Sequence, residues 1–131
     1  NGATATMVMS FDVYPYPLPC IVLYGTKGTM EVPDPNTFQG PVRLRNAQGK
    51  FEEVPLTHSV NRARGTGVAD MAYALRTGRP HRASGELAHH VVEIMESFER
   101  SSMANQHVKL ASTCARPAML PTGVPDNVLD A

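Results

Sequence analysis

The densest run of chemistry-bearing side chains is Glu86-Leu87-Ala88-His89-His90-Val91-Val92-Glu93. On a helix, Glu86 with His90 and His89 with Glu93 are i, i+4 pairs, the spacing by which one face can offer imidazole and carboxylate to a metal ion. The adjacent histidines, however, stand about 100° apart around the axis and cannot both face one ion comfortably. These residues are therefore read as a solvated helix face, and no metal ligand is assigned.

A second candidate is Gly65-Thr66-Gly67-Val68-Ala69-Asp70, which begins like G-x-G-x-x-G, the loop that lets a backbone approach a dinucleotide pyrophosphate at a helix start. Asp70 stands where the third glycine belongs and brings negative charge to the anion's place. The preceding S-V-N-R-A-R does not read as a strand. A helix start with an aspartate in its first turn accounts for the segment better, so no cofactor-binding residue is assigned.

The remaining polar candidates flank these helices. Asn61, Arg62 and Arg64 lie just before the first, His58 in the loop after the meander of strands, and His81 between the two helices. Asn61, Arg62 and Arg64 suit hydroxyls or a carboxylate, or else mark a solvated loop; with the two histidines, open to a substrate or merely exposed loop residues, they form the substrate-facing candidates. No nucleophile is assigned: Ser84-Gly85 lacks the G-x-S-x-G context, and Cys20, within an apolar strand, reads as core.

The elements that must position these residues follow from periodicity. Ala5, Met7, Met9, Phe11 and Val13 alternate with Thr4, Thr6, Val8, Ser10 and Asp12, which predicts a long half-buried antiparallel strand. Y-P-Y-P-L-P interrupts it, since proline lacks the ladder donor. C-I-V-L-Y, T-M-E-V, V-R-L-R and F-E-E-V read as further strands, the first two joined through Gly25-Thr26-Lys27-Gly28 and the last two through Asn46-Ala47-Gln48-Gly49.

Val68, Met71, Ala72 and Leu75 then fall at the spacing of one helical face, and Gly78 followed by Pro80 closes that helix. Ser84 caps a second helix with Glu86 in its first turn. Leu87, Val91, Ile94, Met95 and Phe98 form its apolar stripe, opposite His89, Glu93, Glu96 and Arg100, and Asn105 stops it. H-V-K-L adds a last strand, and residues 111–131 form an extended tail without a core of its own. The expected fold class is α+β: an open-faced, largely antiparallel sheet with two helices packed on one face, followed by the tail, in a single domain 1–131.

Composition narrows the functional classes. The chain has 131 residues and 14.2 kDa, and its twelve Lys plus Arg balance twelve Asp plus Glu, so no net field draws nucleic acid or anionic lipid. Cys20 and Cys114 have neither C-x-x-C spacing nor a disulfide-rich context, which fits reduced thiols in a cytoplasmic protein. The apolar runs are too short to span a bilayer. The sequence starts at Asn1, without Met and with strand-like alternation almost at once, which reads as a fragment of a longer chain.

Y-G-T-K-G-T-M-E-V-P-D-P-N-T-F-Q-G-P-V-R-L, the R-G-T-G-V-A-D-M-A-Y-A-L-R-T-G-R-P-H-R-A-S-G-E-L-A-H-H-V-V-E-I-M-E-S helices and the closing H-V-K-L-A-S-T-C-A-R-P-A-M-L-P resemble, in that order, the C-terminal part of the glucose-fructose oxidoreductase, inositol dehydrogenase and MocA-like oxidoreductases. The resemblance runs from about Ala3 to Pro121. It implies a parent enzyme with an N-terminal Rossmann domain holding NAD or NADP, and a second, α+β domain that covers a sugar- or polyol-like substrate and forms a homodimer through its sheet. The family's glycine-rich fingerprint, the lysine of its E-K-P motif and its downstream Asp/His pair belong to segments that would precede Asn1. The resemblance thus assigns no catalytic residue and no bound cofactor to this chain, only a substrate-covering and oligomerisation role, inactive in isolation. The alternative is a stand-alone binding or assembly module derived from that domain. Neither reading calls for nucleic acid or a membrane as partner.

Overall fold

The computed structural model describes residues 2–14, 18–37, 40–58, 64–125 and 128–130. The chain separates into two compact units, Asn1–Pro55 and Leu56–Ala131. The described residues carry one four-stranded antiparallel sheet and two helices, an α+β protein with an open sheet.

The first unit is a meander of β1 (Ile21–Gly25), β2 (Gly28–Val32), β3 (Val42–Arg45) and β4 (Phe51–Val54), in that order across the sheet. The pairings Ile21↔Val32, Leu23↔Met30↔Leu44 and Val42↔Val54 put these apolar side chains on one face. The other face pairs Arg43 with Glu53 and Arg45 with Phe51. The first couple is an ion pair at 3.9 Å, and in the second the guanidinium lies 4.5 Å from the ring centroid.

Glycine is required at the β1–β2 return. A Cβ on Gly28 would come within 2.5 Å of the Arg45 carbonyl oxygen on β3, so the third strand can lie against the hairpin only because that position is bare. The β3–β4 return is closed by Gly49 N–H donating to Asn46 O at 3.0 Å, and the Asn46 side chain accepts from Gln48 N–H at 3.0 Å.

The long strand expected over Ala5–Val13 is not formed: residues 2–14 carry no strand, and Met7, Met9 and Phe11 are exposed. Alternation fixes which side chains would share a face but supplies no neighbouring strand to receive the ladder. Cys20 likewise stands outside β1 and is exposed, correcting its reading as core.

The second unit holds α1 (Thr66–Thr77) and α2 (Gly85–Ala104). Gly78 takes the left-handed conformation, φ 73°, and returns its N–H to Ala74 O, ending α1 where Gly-x-Pro predicts. Ser84 Oγ accepts from Leu87 N–H at 3.2 Å and caps α2, and Asn105, φ 49°, closes it.

The expected core stripe of α1 points elsewhere. Val68 and Leu75 are 74% and 82% exposed, whereas Asp70 and Ala74, one turn apart, are buried. On α2 the more covered line runs through Leu87, His90, Glu93, Ile94 and Ser97, while Val91, Met95 and Phe98 are exposed. Residues 107–110 form no strand. In the tail beyond them, backbone groups of Ala111 and Ser112 bond to Glu93 of α2, those of Ala118 and Met119 to Arg82, and that of Leu120 to His58. No helix among the described residues is long and apolar enough to cross a membrane.

Candidate functional site

The charged centre of the second unit is Asp70. Placed on the buried line of α1, it accepts Arg79 Nη2 at 2.7 Å, the Arg82 backbone N–H at 2.8 Å, and Arg82 Nη1. The turn set by Gly78 and Pro80 brings both arginines back onto the helix that precedes them. Burial pushes the Asp70 carboxyl up, but the N–H of Arg82 and the two guanidiniums outweigh it and hold the group below the ordinary range. Asp70 is 4% exposed and belongs to the fifth position of α1 rather than the first turn, so it is neither a solvated dipole partner nor placed at a phosphate loop.

Each arginine then reaches into the tail. Arg79 Nε donates to Asp130 Oδ1 at 2.7 Å, and Arg82 donates through Nε to Ala118 O at 3.1 Å and through Nη2 to Met119 O at 3.2 Å. The hydrogen bonds that Arg79 donates to Asp130 and Asp70 raise its pKa. This arrangement consumes guanidinium donors within the chain, and it organises the fold around the interhelical turn.

A second constellation joins α2 to the tail. Glu93 accepts Ala111 N–H and Ser112 N–H, each at 2.8 Å, and also the Ser112 hydroxyl. The three donors hold its pKa at about 2, the Ala111 N–H contributing most. His90 Nδ1 lies 2.8 Å from the same hydroxyl oxygen. Serine, histidine and glutamate thus meet, but in the wrong order for nucleophilic catalysis. The hydroxyl proton points to the carboxylate, so Ser112 Oγ accepts from His90 rather than donating to it. A carboxylate with pKa near 2 is also a poor base at neutral pH. The solvated reading of His90 and Glu93 is therefore corrected: both are half-buried and fasten the tail, while His89 stays exposed. Among the described residues, no three His, Cys, Asp or Glu gather as a metal site.

The substrate-facing candidates divide. Asn61 and Arg62 lie outside the described residues. Both ring nitrogens of His58 are engaged, Nδ1 with Thr57 Oγ1 at 2.9 Å and Nε2, as donor, with the Leu120 carbonyl oxygen at 2.8 Å, which ties this loop to the tail. His81 Nδ1 meets Ala83 O at 3.0 Å within its own turn, and Arg64 is exposed immediately before α1. In the first unit, an open hollow of about 500 Å³ is lined by residues including Cys20, Glu31, Asp34 and Arg43. No family model, curated protein or solved structure matches the chain.

Proposed function

We propose that this chain is the C-terminal substrate-covering and oligomerisation domain of an NAD(P)-dependent oxidoreductase acting on a sugar- or polyol-like substrate, and that it is not catalytic in isolation. One observation carries the reading: the motif segments behind the resemblance coincide with the junctions that set this fold. G-T-K-G closes the β1–β2 hairpin, T-G-R-P ends α1 on a left-handed glycine, and S-G-E-L-A starts α2 on a serine cap. The order of segments is then an order of structural joints.

The half-exposed apolar face of Ile21, Leu23, Leu44 and Val54 supports a homodimer formed through the sheet, because extensive uncovered apolar surface is uncommon on soluble monomers. NAD or NADP would be held by a preceding Rossmann domain in the cytoplasmic parent enzyme. His58, His81 and Arg64 would contribute at most to the wall over the substrate. The same apolar face favours, as a second reading, a stand-alone assembly module. Titration calorimetry of the isolated chain with NAD and with NADP tests the first reading: the expected result is no saturable binding, and micromolar affinity for either nucleotide would reject it.

A further inference from the structure

We propose that Val128–Asp130 is a releasable strap, held by the buried Leu129 and by the Asp130–Arg79 ion pair at the interhelical turn, and let go when that pair is screened. The inference is independent of the oxidoreductase reading. Leu129 is 3% exposed and, with Ala74, makes up the fully buried apolar set among the described residues. Beside it, Asp130 Oδ1 takes Arg79 Nε and Nη2, both at 2.7 Å.

The two carboxylates that share Arg79 are held differently. Asp70 sits within a helix and is also bound by Arg82 through its backbone N–H and its guanidinium, so it keeps its partners without Asp130. Asp130 belongs to a segment without regular structure, and its side chain and that of Arg79 remain 20% and 24% exposed, open to counter-ions. Its second oxygen, Oδ2, is buried without a hydrogen-bond partner, a cost that release removes. Detachment therefore sacrifices one ion pair and one apolar seat while the Asp70 hub stays closed. It would also leave the Nε edge of Arg79 and the Leu129 seat free for an apolar-acidic segment of another chain.

Hydrogen exchange read by mass spectrometry on the full chain decides the matter, comparing wild type, Asp130→Asn and Leu129→Ala at low salt and at about 1 M NaCl, where screening acts within a few ångströms. Wild type at low salt should protect the peptide covering residues 128–130. Asp130→Asn should raise its exchange roughly tenfold, as expected for loss of a charge-assisted hydrogen bond. High salt should do the same to wild type and add little to Asp130→Asn. Leu129→Ala should weaken protection yet keep the salt dependence, and α1 and α2 should be unaffected throughout. Full exchange in wild type at low salt, no change in either variant, or an equal rise across both helices would overturn the proposal.

Discussion

Ser112 gives both its backbone N–H, at 2.8 Å, and its hydroxyl to one oxygen of Glu93, nineteen residues earlier on α2. With Ala111 N–H on the other oxygen, a single side chain supplies acceptors that a neighbouring strand would otherwise provide. Glu93→Gln retains one acceptor oxygen and loses the charge, so it cannot serve three donors. The amides of Ala111 and Ser112 should then exchange markedly faster by NMR, with helical circular dichroism unchanged. His90→Ala, which spares those backbone bonds, should leave both amides protected.

Acid should detach the same segment. Glu93 titrates at about 2 in the folded chain against an ordinary 4.5. A depressed folded pKa contributes stability that is present above the unfolded value and lost as pH falls through the folded one. Asp70 and Glu86 are also lowered and act with the same sign. Denaturant midpoints should therefore be flat above about pH 5 and fall towards pH 2. The fall should be shallower in Glu93→Gln.

Asp70→Ala leaves two guanidiniums gathered around a missing carboxylate and should cost about 3 kcal/mol in urea unfolding, the range for removing one partner of a buried charge cluster. Val68→Ala, on the exposed side of α1, should stay within about 0.5 kcal/mol. An amphipathic reading of α1 predicts the reverse order.

That contrast shows what the residues alone disclose. Both hairpins and three of the four helix ends were legible because they depend on local chemistry: glycine beside a tight return, Gly-x-Pro after α1, serine before α2 and asparagine after it. The Asp70 cluster was not, since its arginines lie nine and twelve positions on and converge only once the turn at Gly78 is folded. An aspartate in a helix followed by R-P-H-R was the available signal. The Glu93 anchor spans still more sequence. The Ala5–Val13 alternation misled because periodicity specifies a face and not a partner, and the stripe of α1 misled because a charge cluster, rather than Val68 and Leu75, occupies its buried side.

Gly28→Ala should lower the stability of the sheet by more than about 1 kcal/mol, because the new Cβ would press on the Arg45 carbonyl oxygen. Gly25→Ala offers a control within the same hairpin, since its Cβ would meet only an ordinary 3.5 Å contact. Thermal melts of the two variants should separate clearly, with Gly28→Ala the lower.

The most direct test of the functional account is the intact mass of the natural protein, isolated from its source with an antibody raised against this chain. The account predicts a polypeptide well above the 14.2 kDa of these residues, longer by at least about 100 residues, the size of a nucleotide-binding domain, and retaining NAD or NADP. A mature species of 14.2 kDa without nucleotide would contradict it.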